Sequence, residues 1–321
     1  SGEFRRYAQY AQLGTSLLFL KFSRDAERQS DKLGVEYSTK VGYDAREMAS
    51  FFTTLERLSG QEGAAIPDFL STHPNPGERA NRVERLAKSH MGNDQNYQIG
   101  RNEYLSKIDG MVYGQNPRKG FTDLGHFYHP ELAFQFPYPE GWNLVNSNSL
   151  VQIAPEDNSA LIQFLLSDES EFDRVTQMLS EQFEMEIVDY TDKQINGLPA
   201  RMLSIQIQAE DQVIPGLVHM IKYDNNTYVF LSLAAESDFA RYRDNFIRTA
   251  EGFRELDDSG ILNIQPDRLS VRKAAVSGTL RQILSSQGVS QLRMEEHAII
   301  NGMNLDDMLA EGTFYKVIVK G

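Results

Sequence analysis

The stretch "FSRDAERQSDKLG", residues 22–34, places Glu27 and Asp31 on one predicted helix beside an apolar run. Glu27 and Asp31 are four positions apart, so both side chains point to the same face of a helix. The simplest interpretation is a solvated acidic face that neighbouring Arg and Lys side chains balance. Taken alone, the pair does not decide between a solvated face and a functional site, and the surrounding sequence has to be considered.

The sequence on both sides of this stretch predicts further helices. The first helical segment ends at Gly42, and "DAREMASFFTTLERL", residues 44–58, has apolar side chains at three- and four-residue spacing. A loop rich in Pro and Gly follows at 59–77, and "GERANRVERLAKSH", residues 77–90, predicts a third helix. A fourth, less regular helix is predicted within 101–114. We therefore predict a helical domain over residues 1–115.

Composition restricts the classes of function. The chain has 321 residues with a net charge of −13, which argues against binding to nucleic acids, because that binding depends on clustered cations. It has no cysteine, which excludes disulfides and thiolate metal sites. The apolar run "SLLFLKF", residues 16–22, is far shorter than the roughly 20 residues that span a bilayer. We therefore expect no transmembrane segment and no nucleic-acid partner for this chain.

The pattern changes after "GQNPRKG", residues 114–120, from helical to mostly β. Short apolar or alternating runs are separated by turn residues, and Asn196-Gly197 predicts a tight hairpin. Two amphipathic helices are predicted, one near 171–185 and a closing one near 237–253 with Ser237 as its cap. Residues 121–256 are thus predicted to be an α+β domain, an antiparallel sheet covered by two helices.

The tail, residues 257–321, predicts a small β-α-α-β module. Its strands are "DRLSVRKA" at 267–274 and "TFYKVIVK" at 313–320, with two short helices between them. Glu295, Glu296 and His297 in the second of these helices form no metal-ligand set, and a surface helix is expected there. The predicted fold class is α+β and multidomain, with a helical part, an antiparallel α+β domain and this small module.

The N-terminal part resembles zinc metallopeptidases of the HtpX-like and CAAX-prenyl-protease-like kind, metallopeptidase family forty-eight (M48). The resemblance spans roughly residues 15–88 and includes "VGYDAREM" and "THPNPGERANRVERL". In that family a glutamate within a Ser-Arg-x-x-Glu-x-x-Ala-Asp pattern binds zinc together with two histidines of an HExxH helix. Ser23, Arg24, Glu27 and Asp31 match the pattern. The resemblance implies that Glu27 is the third zinc ligand and that Asp31 and Arg24 orient the metal ligands.

The sequence departs from the family at the motif that carries catalysis. Its six histidines are His73, His90, His126, His129, His219 and His297, and none stands in HExxH. The resemblance therefore implies the C-terminal part of a zincin-like peptidase domain, without two zinc ligands and the general-base glutamate. We expect no catalytic residue and no bound zinc in this chain, which alone should be inactive. Zinc is expected only in the full-length parent.

Two groups of histidines need separate interpretations. His73, in "STHPNP", lies in a loop that the family places near the active-site cleft, and it is a candidate cleft residue. The alternative is a histidine that braces the following helix. His126 and His129 are three positions apart, but they enter a predicted strand rather than a helix, which disfavours a metal site there.

The later parts of the chain carry weaker resemblances. The region from "FYHPELAFQFPYPEGWNLVNS", residues 127–147, looks like an accessory domain similar to PsbP and Mog1-like modules, with Trp142 expected as a core or edge anchor. The tail faintly resembles LysM, a peptidoglycan-binding module, and a divergent packing module is an equally open interpretation.

These resemblances imply a bacterial envelope metalloendopeptidase, located in the periplasm, that acts on protein or peptide substrates. Peptidoglycan is a possible further partner, bound through the tail. The alternative is a non-catalytic protein- or glycan-binding module derived from a peptidase scaffold, in which Glu27 is only a buried or salt-bridged carboxylate.

Overall fold

The computed structural model describes residues 24–59, 76–92, 96–147, 149–209 and 212–321. They group into two compact units. The first, called here the sheet unit, is Asn116–Gln265. The second, the helical unit, combines the described residues up to Gln115 with Pro266–Gly321. The mixed α+β class predicted from the sequence is confirmed, whereas the division into three domains stays a prediction.

The described residues of the helical unit up to Gln115 contain four α-helices. They are α1 (Arg24–Lys40), α2 (Glu47–Ser59), α3 (Pro76–His90) and α4 (Arg101–Ile108). Helix α1 ends as predicted, because Gly42 adopts a left-handed φ of 85° that a residue with a Cβ rarely adopts. The buried apolar side chains of the first three helices, among them Val35, Phe52 and Val83, form one core.

The fourth helix is shorter than its predicted span, 101–114. It ends at Ile108, and the residues after it pair with a strand of the tail. The backbone N–H of Gly110 donates to Leu269 O, and that of Leu269 donates to Met111 O, both at 2.8 Å. This pairing satisfies backbone groups that a longer helix would have satisfied internally.

Among its described residues, the sheet unit contains eleven strands and three α-helices. Its elements are β1 (Phe121–Asp123), β2 (His126–His129), β3 (Phe134–Pro137), β4 (Trp142–Asn146), β5 (Val151–Pro155), β6 (Ala160–Ser167), α5 (Phe172–Phe183), β7 (Met185–Ile195), β8 (Leu198–Ala209), β9 (Gln212–Tyr223), β10 (Asn226–Ala234), α6 (Glu236–Glu251), β11 (Arg254–Glu255) and α7 (Ser259–Leu262).

Two antiparallel sheets organise this unit. The larger has seven strands in the order β4-β5-β6-β10-β9-β8-β7, and the smaller has the order β1-β2-β3-β11. Strand β10 is buried on both faces. Tyr228 and Phe230 join one core together with Phe246 of α6, and Val229 joins a second core together with Val175 of α5. The two predicted helices therefore cover opposite faces of the large sheet.

Three local predictions in this unit can be compared with the structure. Asn196 and Gly197 both adopt positive φ and join β7 to β8 in the predicted tight turn. Trp142 packs edge-on against Tyr242 at 5.4 Å between ring centroids, as expected of an anchor. The predicted cap of α6 is wrong, because the helix starts before Ser237 and its N-cap is Ala235. The buried Ala235 carbonyl accepts the N–H groups of the first turn instead.

The tail forms the predicted β-α-α-β module. Its elements are β12 (Arg268–Lys273), β13 (Gly278–Thr279), α8 (Leu280–Ser286), α9 (Met294–Asn301), β14 (Met308–Leu309) and β15 (Phe314–Val319). β12 pairs with β15 in antiparallel register, and Thr279 caps α8 through a reciprocal capping box with Gln282.

The second helix of the tail is not the surface helix that its charges predicted. His297 is buried, its Nδ1 lies 2.7 Å from Arg293 O, and its Nε2 accepts the N–H of Ile318 at 3.1 Å. Arg57 of α2 donates to Met303 O and pairs with Glu295 at 2.9 and 2.8 Å. The tail is therefore hydrogen-bonded to the helices of the first 115 residues within one unit.

Within the described part of the chain, none of the helices combines the length and apolar character needed to cross a bilayer.

His219 is an exception to the apolar packing of the sheet unit. It lies on β9 opposite Met202 and Phe230, its exposed fraction is 0%, and neither ring nitrogen has a hydrogen-bond partner among the described residues. Burial, with a smaller effect of Lys193 and Arg243, lowers the pKa of His219 to about 3. Between the folded and the unfolded pKa, the ring is therefore neutral in the native state and protonated in the unfolded chain.

We predict that acidification destabilises the protein through His219. Since the folded pKa lies below the unfolded value near 6.5, this contribution to stability is complete above pH 6.5 and is lost as the pH falls toward 3. Between pH 7.5 and 5 the loss amounts to about 2 kcal/mol. Urea unfolding at both pH values should show a smaller pH-dependent loss of unfolding free energy for His219→Leu than for the parent. The exposed-site control, His90→Asn, should retain the parent's loss, and equal losses in all three proteins would contradict the prediction.

Candidate functional site

Two helices bring four charged side chains together in the helical unit. Helix α1 carries Glu27 and Asp31 one turn apart, and α3 carries Arg79 and Arg82, three positions apart. Residues at these spacings share a helix face, so each helix presents two charges of one sign. Because α1 packs against α3, the two carboxylates meet the two guanidinium groups.

One guanidinium bridges both carboxylates. Arg79 Nη1 lies 2.7 Å from Glu27 Oε2, and its Nη2 lies 2.7 Å from Asp31 Oδ1. Arg82 Nη2 binds the other oxygen of Asp31, Oδ2, at 2.5 Å. Glu27 is thus connected to Asp31 through Arg79, and both oxygens of Asp31 are bound to arginine. We call these four residues the carboxylate–arginine cluster.

The cluster is largely removed from solvent. Asp31 is 1% exposed, Glu27 and Arg79 are each 12% exposed, and Arg82 is 26% exposed. The Arg79 guanidinium lies 4.3 Å from the ring centroid of Phe52 on α2, a cation–π contact. Two negative and two positive groups balance each other, which is the condition under which buried charges are tolerated.

The described residues do not by themselves form a zinc site. A catalytic zinc needs three protein ligands and one open position. In the described segments, no group of three His, Cys, Asp or Glu side chains could hold a metal ion. Glu27 and Asp31 are the predicted metal ligand and its orienting neighbour, and the structure brings both together with arginines. We therefore derive no catalytic step through zinc from these residues.

Some of the other residues predicted for the site lie outside the part of the chain that the structure describes. His73 lies outside the described residues, and so does the side chain of Arg24. His129 accepts a hydrogen bond from the N–H of Leu132 through Nδ1 at 3.1 Å, and the His126 Nδ1 lies 3.3 Å from Leu124 O. Both rings belong to strand β2 of the sheet unit, whereas the cluster belongs to the helical unit.

The arginines were missed as site residues by sequence reasoning. The charges of the third helix were given no predicted role, although Arg79 and Arg82 lie four positions and one position before Val83, a core residue. Two arginines beside a buried position on one helix, and two carboxylates at four-residue spacing on another, would have been the signal for this pairing. The salt-bridged state of Glu27 also agrees with the alternative interpretation of a carboxylate without a metal.

We predict that Asp31→Asn strongly destabilises the protein. The substitution keeps the shape of the side chain and leaves two partly buried guanidinium groups without their shared counter-charge, which costs about 3–5 kcal/mol. The free energy of unfolding in urea, measured near neutral pH, tests this. Glu36→Gln, on the same helix and in the exposed pair with Lys40, is the matched control and should leave the free energy unchanged within error. Equal effects of the two substitutions would show that the cluster does not stabilise the fold.

Comparison with known sequences agrees with the resemblance of the N-terminal part. The profile of peptidase family M48 matches residues 3–87. The metalloendopeptidase OMA1 of bovine mitochondria (Bos taurus) is 33% identical over 66 residues, which is 20% of this chain and 13% of OMA1. The zebrafish (Danio rerio) protein is 35% identical over 68 residues, 20% of this chain and 14% of its own length. This chain thus aligns with only about one seventh of the relatives it matches.

Comparison with solved structures returns modules of the two kinds that the sequence resemblance named. Cyanobacterial PsbP from Synechocystis sp. PCC 6803 has a TM-score of 0.34 and 16% identity. The match covers 42% of this chain and 91% of the PsbP chain. The Ran-binding protein Mog1p of Saccharomyces cerevisiae has a TM-score of 0.32 and 14% identity, covering 46% and 98%.

The position of the match coincides with the cluster. The residues matched by the family profile include α1, α2 and most of α3, and all four members of the carboxylate–arginine cluster lie within them. Residues 3–87 of this chain are therefore a peptidase family M48 domain segment.

Proposed function

We propose that this chain supplies the glutamate-bearing part of a zinc-dependent metalloendopeptidase that hydrolyses peptide bonds in proteins. Glu27 is the residue that contributes to the zinc site. The observation that carries the proposal is the match of residues 3–87 to peptidase family M48, within which Glu27 and the buried Asp31 share one helix face and one guanidinium, that of Arg79. Peptidases of family M48 are zinc-dependent in general, and the cluster lies within the segment that matches this family.

The cluster is suited to hold a carboxylate in one orientation. A carboxylate that binds a metal is positioned by hydrogen bonds from neighbouring groups, and loss of such a neighbour typically lowers metal affinity 10–100-fold. Arg79 donates to Glu27 Oε2, and its own position is set by Asp31 and by the ring of Phe52. In this proposal Arg79 and Asp31 are positioning residues, and Glu27 alone touches the metal.

The proposal assigns this chain one zinc ligand and not the paired histidines. None of its six histidines stands in HExxH, so those ligands and the general-base glutamate must come from a segment that contains this motif. We infer that the 321-residue chain alone holds no catalytic zinc and does not hydrolyse protein substrates.

The location and partners of the protein are also part of the proposal. A periplasmic location in the bacterial envelope is supported by the cysteine-free composition and by the sequence resemblance to envelope peptidases. A protein or peptide is the proposed substrate. Peptidoglycan binding by the tail is supported by its β-α-α-β order and by the resemblance to LysM.

The second candidate function is a non-catalytic binding module on a peptidase scaffold. One observation favours it, the ion pair between Glu27 and Arg79, which satisfies this carboxylate without a metal. The two candidates differ in what Glu27→Gln does. In a peptidase the substitution removes a zinc ligand, whereas in a binding module it removes only one ion pair.

We predict that zinc content and proteolysis depend on Glu27 in the protein encoded by the complete reading frame that contains this chain. With unfolded β-casein as substrate, Glu27→Gln should lower zinc content and the rate of hydrolysis by more than the roughly 10–100-fold that follows loss of an outer positioning group. Zinc content by atomic absorption and the initial rate of casein cleavage measure the effect.

The matched control is Glu36→Gln, which replaces a carboxylate on the same helix whose partner is the exposed Lys40. It should retain zinc and activity. If the complete protein has no HExxH, or carries the motif but neither binds zinc nor cleaves casein, the peptidase proposal is wrong and the binding module is the better description.

A further inference from the structure

The sheet unit contains a cavity that the proposed function does not use. Its volume is about 500 Å³, within the range of small-molecule sites, and it lies between the small sheet and one end of β5 and β6. Its floor is made by aromatic rings, among them Phe134, Phe164 and Tyr228, which are almost completely buried. The ring centroid of Phe134 lies 5.3 Å from that of Phe164 and 5.0 Å from that of Tyr228. The floor is thus fixed by ring–ring packing within the protein.

His129 lines the cavity and carries a hydrogen-bond donor. Its Nδ1 accepts the N–H of Leu132 at 3.1 Å, so the ring proton is on Nε2. Burial lowers the pKa of His129, which keeps the ring neutral near pH 7. The ring stacks on Phe134 with 5.1 Å between centroids, and this contact fixes its plane. Within the described residues, no hydrogen bond is formed by Nε2.

The rim of the cavity is polar but electrically balanced. Lys119 Nζ and Glu131 Oε1 form an ion pair at 2.5 Å. The side-chain amide of Asn146 donates to Lys119 O at 3.0 Å, which leaves its Oδ1 as an acceptor. A charged ligand would have to compete with one member of the ion pair, whereas a neutral ligand would not. The wall and rim therefore favour a ligand without net charge.

We propose that this cavity binds a phenol, an uncharged aromatic ring that carries a hydroxyl group. The ring packs against the apolar lining, of which Leu166 is the most exposed side chain and the buried aromatic rings form the floor, and the hydroxyl oxygen accepts the hydrogen bond that His129 Nε2 donates. Such a ring could come from a free phenolic compound or from a tyrosine side chain of a polypeptide, and the chemistry recognised is the same. This site lies in the sheet unit, so it does not depend on the proposed peptidase function.

The test is a calorimetric titration of the full 321-residue chain with p-cresol, toluene and benzoate. We expect p-cresol to bind at one site about ten-fold more tightly than toluene, the contribution of one hydrogen bond of about 1.4 kcal/mol. Benzoate should bind more weakly than p-cresol. Equal binding of p-cresol and toluene, or tighter binding of benzoate, overturns the proposal.

Variants connect the binding to the cavity. His129→Phe keeps a ring on Phe134 and removes the donor, so the preference for p-cresol over toluene should disappear. His126→Phe, on the same strand but outside the cavity lining, should keep that preference. Leu166→Trp, at a half-exposed position of the lining, fills the cavity without removing a hydrogen bond and should weaken both ligands. Unchanged p-cresol binding in Leu166→Trp overturns the proposal even if His129→Phe fails to fold.

Two further ligands distinguish the sources of the ring. Under the same conditions, N-acetyltyrosinamide and an octapeptide with one central tyrosine are compared with their phenylalanine counterparts. A tyrosine preference of about ten-fold in the octapeptide assigns the site to polypeptides. Binding of p-cresol without binding of the octapeptide assigns it to free phenolic compounds. Both outcomes support recognition of a phenol.

Discussion

The burial of one carboxylate, that of Asp31, is the constraint on which the candidate site depends. A carboxylate removed from water is tolerated only when opposite charges and hydrogen bonds replace its hydration. Here both oxygens are bound by arginines that lie almost one turn apart on α3. A shift of α1 along α3 by one turn would break these bonds together, so the pairing determines the register of the two helices. Glu27, one turn before Asp31, is positioned as a consequence.

The sheet unit is stabilised by apolar packing rather than by buried ion pairs. Its central strands are apolar on both sides, and each face is covered by a helix, so burial of apolar surface is the main stabilising contribution. His219 is a buried polar group within this packing, without a partner for its ring in the described residues. The cavity beside β2 is a second exception, because polar groups line a space whose floor is aromatic.

The helical unit is assembled from segments that are distant in sequence. Residues 110–113 add to the edge of β12, Arg57 bonds to the tail, and His297 accepts a backbone N–H from β15. The tail is therefore connected to the peptidase segment by the side chain of Arg57, and to residues 110–113, which follow that segment, by backbone pairing. A glycan bound by the tail, as the proposed function includes, would be held by a module that shares hydrogen bonds with the peptidase segment.

The sequence by itself determined the class of each part of the chain and the turns between them. Local signals were sufficient there, since Gly42, Asn196-Gly197 and the apolar periodicities depend on neighbouring residues only. The resemblance also identified Glu27 and Asp31 as a related pair. Only the tertiary structure decided that Arg79 and Arg82 complete this pair, that α4 ends at Ile108, and that His297 is buried. Each of these depends on a partner 20 to 160 positions away, for example Ile318 for His297 and Leu269 for Gly110. Charge and periodicity along the chain carry no information about such partners, because the same arginine is solvated on a free helix and buried against a facing carboxylate.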